Sequence, residues 1–279
     1  MPESQIKVRL NPDVTPAGSD LSIVNAARRS FNTRSEWDTP VTDPHHGGKI
    51  LPYNRLKPKD KRLLEFLARG MTADDFDIFL ESVDDACFRD EMGFGDGKLL
   101  FDRLWEWRNT PTHDTPFNHT FISFEVQAPI FCRAQLVKHE YLIMSEFSRR
   151  YITDDVQFYV PDMWRKAAEN KKQGSSDEGV TGPALGVAES EYEIGCDKAR
   201  EAFGELLLCG VAPEQARMVL PQSTMTEWTW SGTLGAFAKM CTLRLHPEAQ
   251  YEARLVAEQV YGYLKEYYPV GAKALVEGV

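Results

Sequence analysis

Two short runs alternate apolar and polar residues, HTFISFEV at 119–126 and TMTEWTW at 224–230, amid much longer stretches of helical periodicity. That imbalance constrains the fold most. Alternation predicts a strand. The spacing of apolar residues predicts helices over 20–31, 59–68, 129–139, 184–209, 213–220, 234–243 and 247–267. Asp20 is the expected cap of the first helix, with Leu21, Val24 and Ala27 or Arg28 on one face. Leu63, Leu64 and Leu67 form the stripe of the second, and Gly70 is its expected stop. Strands among helices argue for an α+β fold, one compact domain with peripheral insertions.

The insertions are expected at 32–56, rich in Pro and Gly, and at 71–112, where Thr72 would cap a helix and LLFDRLWEWR would form another. Trp105 and Trp107 of that second stretch read as packing residues. Residues 172–184 read as a mobile polar loop.

Composition excludes several classes. Hydrophobic residues are 42% and charged residues 27% of the 279, which sets aside disorder and collagen. The formal charge is −10, from 42 acids against 32 bases, so the chain would repel a polynucleotide surface. One phosphorylated small ligand stays compatible, because a local arginine cluster can reverse the field. No apolar run approaches the roughly 20 residues that span a bilayer. The N-terminal stretch lacks a secretory h-region, and Cys87, Cys132, Cys196, Cys209 and Cys241 are scattered, which is expected of a reducing, cytoplasmic setting with most thiols buried.

Generic catalytic motifs are missing: there is no GxGxxG, GxxxxGK[ST], GxSxG or HExxH. His45–His46 beside Gly47–Gly48 reads as a solvated turn, and no metal site is expected. Three segments gather the chemistry: THDTPFNH at 112–119, QLVKHEYLIMSEFSRRY at 135–151, and the stretch 214–252 with EQARMVLP, TEWTW and LRLHPEAQYE. Surface salt bridges are the competing reading for any one of their charged residues. Arg217 and Arg244, however, sit among aliphatic neighbours, and a guanidinium buried there needs an anionic partner such as a phosphate or an acidic base edge.

These segments resemble the flavin-dependent thymidylate synthases, the ThyX family, whose signature is Arg-His-Arg, seven residues, then Ser. Here Lys138-His139-Glu140 is followed by YLIMSEF and Ser148. DLSIVNAARRSF resembles the family's first helix, and THDTPFNH its G-H-E-[ST]-P-F-E-H segment. FEVQAPIFCRAQ, SRRYI, EQARMVLP and LRLHPEAQYE match in the same order. The resemblance covers most of 20–31, 57–70, 113–161 and about 190–268, and leaves 32–56 and 71–112 as elaborations.

The resemblance implies a ThyX-like fold, an antiparallel-type sheet packed with helices, in which 1–279 form a single domain assembled as a homotetramer. It implies methylation of dUMP at C5 to give dTMP, with methylenetetrahydrofolate supplying the carbon, FAD the hydride, and NADPH recharging the flavin. Uracil C5 is a weak nucleophile until charge builds at N3 and O4, and a fixed guanidinium stabilises that charge. By the family pattern this role falls to Arg244. Gln135, Lys138, Glu146, Phe147, Ser148, Arg149, Arg150, Arg217 and Arg244 match the dUMP contacts. Thr115, Lys138, His139, Glu140, Glu146, Thr233, Gly235 and Lys239 match the flavin contacts. His113 matches a histidine near flavin and folate, and Ser148 is expected to bind substrate, since no base is legible beside it for a nucleophile.

On the nucleotide side Gln135, Glu146, Ser148, Arg150, Arg217 and Arg244 match the family, while Lys138 replaces an Arg and Arg149 a Gly; the flavin side departs further. Glu140 stands where the family has a cation, the family's N-x-R is Thr233-Leu234-Gly235, a later Asn is Lys239, and Asn118 replaces Glu. Flavin held differently, a 5-hydroxymethylase of dUMP or dCMP, or a non-catalytic nucleotide-binding homologue are the readings these departures leave open.

Overall fold

The computed structural model describes residues 4–38, 55–69, 113–148, 150–151, 153, 156–168 and 175–277. The expected elements of 71–112, the Gly70 stop, the His45–His46 pair, Cys87 and Arg149 lie outside them.

The described residues fall into two compact units. The first draws on Met1–Val14, Ser123–Ser231 and Leu243–Val260. It carries a four-stranded sheet in the order β1-β2-β4-β3, where β1 is Lys7–Leu10, β2 Ile122–Pro129, β3 Ile143–Glu146 and β4 Met225–Gly232. β1 runs antiparallel to β2, with Val8 opposite Val126, and β3 antiparallel to β4, with Glu146 opposite Trp228. Both expected strands form, displaced toward their C-terminal ends. Phe124, Val126, Trp228 and Trp230 are buried, and sheets of this kind need such a covered face. The sheet has a helical neighbour: the amide of Gln259 accepts from Val8 N at 2.9 Å and donates to Ile6 O at 3.2 Å. Strands β1 and β3 are only four residues each, and the pattern of β3 shows no buried face for alternation to mark.

Two helices of this unit follow from local rules. Pro129 precedes α3 (Ile130–Leu136), which buries Cys132 and Leu136. Helix α4, Pro183–Leu208, begins with its proline in the first turn and ends before Gly210, whose φ of 80° suits a residue without Cβ. Pro213–Ala216 forms a single helical turn, α5, continued by a 3-10 turn over Arg217–Val219.

The second unit draws on Thr15–Ile122, Gly232–Thr242 and Tyr261–Val279. Helix α1 is Asp20–Arg28, α2 Pro58–Arg69 and α8 Pro269–Val276, and α2 packs on both α1 and α8. Leu64 and Leu67 of α2 are buried as expected. The cap of α1 is Ser19, whose hydroxyl accepts from Ser22 N at 3.3 Å, and not Asp20; Ile23 and Val24, rather than Leu21, are its buried apolar face. Asp20 is buried because it caps another helix. Its carboxylate accepts from Val270 N at 2.8 Å and Gly271 N at 2.9 Å, the free donors at the start of α8. Burial pushes this carboxyl up to about 6, against the pull of those two hydrogen bonds.

Helices α6 (Leu234–Arg244) and α7 (Tyr251–Tyr267) each contribute residues to both units. α7 begins at Tyr251 rather than at 247, since Pro247 and Glu248 lie in a turn closed by Ala249 N donating to His246 O at 2.9 Å. Cys132, Cys196 and Cys241 are buried and Cys209 is exposed. Burial raises the thiols of Cys132, to about 12, and of Cys241 further still. Among the described residues no helix is long and apolar enough to cross a membrane.

Candidate functional site

Arg244 closes α6, and its side chain is fixed within the sheet-bearing unit. Its Nε donates to His139 Nε2 at 3.0 Å, and its Nη2 donates to the backbone oxygen of Gln135 at 3.1 Å. The anionic partner expected from sequence is replaced here by two neutral acceptors. His139 serves because it is uncharged: burial first, and then the Arg244 charge, pull it from 6.5 down to about 4. Gln135 lies at the end of α3, and its side-chain Nε2 donates to Gln250 Oε1. Gln250 Nε2 in turn donates to Glu252 Oε2 at 2.9 Å. All five residues of this cluster are half-buried.

A second cluster in the same unit joins Ser148, Arg150, Glu214 and Arg217. Arg150 N donates to Ser148 Oγ at 3.3 Å, and Arg150 Nη2 meets Glu214 Oε2 at 2.9 Å. Arg217 Nε donates to the backbone oxygen of Glu214 at 3.4 Å. Arg217 is exposed, contrary to the burial its aliphatic neighbours implied. The reason is the 3-10 turn, which leaves Met218 itself 78% exposed. Glu146 is engaged elsewhere, on Arg133 Nη2 at 2.7 Å and accepting from Thr226 Oγ1 at 3.1 Å. Phe147 N is tied to Glu227 O at 2.8 Å. Lys138 and Glu140 are exposed at the turn after α3.

The remaining expected residues lie in the helical unit. Thr115 starts a 3-10 turn over Thr115–Asn118. His113 and Thr115 line a cleft of about 730 Å³ with Ala27, Phe31, Leu63 and Phe66. That is within the size of small-molecule sites, which are mostly apolar. Beside the 3-10 turn, Thr233 Oγ1 donates to Asn118 Oδ1 at 2.6 Å, and Lys239 Nζ meets Asp114 Oδ2 at 3.1 Å. Gly235 faces Asn118 so closely that a Cβ there would stand 2.6 Å from Oδ1. Asn118 and Gly235, two departures from the family pattern, are therefore neighbours.

The donors suit a flavin. A hydroxyl at Thr115, an ammonium at Lys239 and the neighbouring cleft offer what a polyol, a phosphate and a flat ring take. In the sheet-bearing unit by itself, Lys138 offers a cation and His139 a neutral polar ring, and Glu140 is exposed, so solvent screens its charge.

The sequence model of the Thy1 family, "Thymidylate synthase complementing protein", matches residues 14–270. The chain belongs to this family. A flavin-dependent thymidylate synthase of Thermus thermophilus is 36% identical over 165 residues, covering 59% of this chain and 60% of the relative. One from Thermosipho africanus is 35% identical over 160 residues, 56% of this chain and 68% of the relative. The chain thus spans about three fifths of the length of the Thermus relative. A crystal structure of the UMP/dUMP methylase PolB from Streptomyces cacaoi bound with 5-Br dUMP superposes with a TM-score of 0.66 at 24% identity, over 98% of this chain and 96% of that one. The fold is thus that of the Thy1 family, α+β with an antiparallel sheet and helices.

Reading the sequence missed Gln250, Glu252, Glu214 and Asp114 as parts of these clusters. Gln250 and Glu252 had a signal: two polar residues at the start of an otherwise apolar-periodic helix, within the LRLHPEAQYE segment already matched.

Proposed function

We propose that this Thy1-family chain methylates C5 of dUMP to give dTMP, using methylenetetrahydrofolate as carbon donor, FAD as flavin and NADPH as reductant. The observation that carries the reading is the fixation of Arg244. Two of its N–H groups are spent on His139 and Gln135, which orient the guanidinium and leave its other donors for a ligand. Such a preoriented cation stabilises negative charge developing at N3 and O4 of a uracil, and removing one donor of this kind costs about 3–4 kcal/mol of barrier. The acceptors bonded directly to the guanidinium, His139 and the Gln135 carbonyl, are both neutral, so neither cancels its charge.

Gln135 contacts the base, and Ser148, Arg150 and Arg217 take the phosphate, for which Arg150 exchanges its exposed bond to Glu214. Lys138, Arg149, Glu146 and Phe147 complete the nucleotide side. Thr115, Thr233, Gly235, Lys239 and the 138–140 triplet hold the flavin, which supplies hydride when bound. His113 orients flavin and folate at the cleft. The family match runs through both units, which supports reading 1–279 as one domain with elaborations at 32–56 and 71–112. The resemblance also supports a homotetramer.

The test is incubation of the protein with dUMP, methylenetetrahydrofolate, FAD and NADPH, followed by mass measurement of the product. A gain of one methyl group is expected. No product from folded protein, or a hydroxymethyl product, refutes the assignment.

A further inference from the structure

The cluster behind Arg244 has a direction. Glu252, as a carboxylate, only accepts hydrogen bonds. Gln250 must therefore turn its NH2 toward Glu252, and does so at 2.9 Å. This leaves the Gln250 carbonyl facing Gln135, and that oxygen accepts from Gln135 Nε2. The nitrogen of the Gln135 amide is thus held at the Gln250 end. Its Oε1 is left as the acceptor, while the backbone oxygen of the same residue is occupied by Arg244 Nη2. Turning the Gln135 amide over would place two carbonyl oxygens, or two NH2 groups, against each other somewhere along the chain. In a half-buried cluster such a mismatch leaves a polar group unsatisfied, which outweighs the bond gained.

The order of polarity distinguishes pyrimidines. Uracil carries a donor at N3, flanked by carbonyl acceptors; cytosine carries a lone pair at N3 and an amino donor at C4. An amide free to rotate satisfies either base. An amide oxygen fixed opposite position 3 accepts from the N3–H of uracil and meets the N3 lone pair of cytosine.

We infer that Glu252, acting through Gln250, is a positioning residue that locks the Gln135 amide with its oxygen outward, and that this lock selects uracil over cytosine nucleotides. The inference rests on the reading of Gln135 as a base contact, made at position 3 of the pyrimidine. Gln250 and Glu252 stand behind Gln135 in the chain of hydrogen bonds. Their effect is exerted through two successive hydrogen bonds, and the charge of Glu252 sets the sense of both. Sites built around buried, oriented polar groups discriminate strongly because the wrong partner leaves those groups unpaired.

Calorimetric titration of the full chain, with FAD present, against dUMP and dCMP tests this, with the thermal midpoint as the check on folding. In Glu252→Gln an amide replaces the carboxylate and no longer dictates a direction. The ratio of dCMP to dUMP dissociation constants is then expected to fall by about tenfold to a hundredfold, chiefly through tighter dCMP binding. The double variant Gln250→Glu with Glu252→Gln puts the carboxylate directly on Gln135 Nε2, restores the direction, and is expected to recover most of the ratio. A merely structural role would not give that recovery. An unchanged ratio in folded Glu252→Gln, or no recovery in the double variant, overturns the lock while leaving the nucleotide site standing. Wild-type protein that binds neither nucleotide overturns the site and the lock together.

Discussion

Asp20 gives the chain a pH dependence that can be worked out beforehand. The carboxyl is 2% exposed, and its folded-state value is raised from 3.8 to about 6. Each pH unit corresponds to about 1.4 kcal/mol, so ionising it in the folded state costs about 3 kcal/mol more than in the unfolded chain. The sign follows from proton binding. Between 3.8 and about 6 the folded state holds this proton and the unfolded state does not, so stability falls as pH rises through that window. His139 works oppositely. Lowered from 6.5 to about 4, it contributes stability that is present above 6.5 and lost as pH falls toward 4. The two slopes overlap and oppose each other in the wild-type curve. The informative quantity is therefore the difference between Asp20→Asn and wild type, measured by urea unfolding across pH. The amide keeps an acceptor for one of the Val270 and Gly271 amides and cannot ionise. The advantage of the variant over wild type should grow by about 2 kcal/mol between pH 4.5 and 7.5. A difference that is flat with pH, or that shrinks toward neutrality, would show that the helix-end hydrogen bonds outweigh burial at this site.

Gly235→Ala should destabilise by about 1–3 kcal/mol, because the new methyl meets an Asn118 oxygen already held by Thr233; adding Asn118→Ala should recover most of the loss in a denaturant titration. Arg244→Lys loses the fork that spans His139 and Gln135, and kcat with dUMP should fall about 10²- to 10³-fold in protein of unchanged secondary structure. Glu214→Gln breaks a pair whose side chains are 51% and 52% exposed, so the unfolding free energy from a denaturant titration should change by less than about 1 kcal/mol. The His139 ring resonances should remain those of a neutral imidazole at pH 5.5 by nitrogen-15 NMR, where an ordinary histidine is mostly protonated.

Local signals carried much of the fold. The leucines of α2, the proline at the start of α4 and the glycine after it mark elements where sequence and structure agree. Asp20 shows the limit. Its residue type fits an N-cap of its own helix, yet its hydrogen bonds run to residues 250 and 251 positions away, and no local rule encodes that. β3 escaped because a four-residue strand with no buried face leaves no alternation to read. In the site, Arg244 and Gln135 were legible through their collinear family segments. The partners that orient them, His139 across 105 positions and Gln250 across 115, acquire their role only on folding.

The thiols described earlier have a practical reach. Cys132 and Cys241 are held as protonated thiols by burial, and Cys196 is buried out of reach of a reagent in solution. Cys209, at the C-terminal cap of the longest described helix, is the exposed thiol among the described residues. A fluorophore or spin label attached there would report from one defined helix end of the native chain, with every described core cysteine left in place.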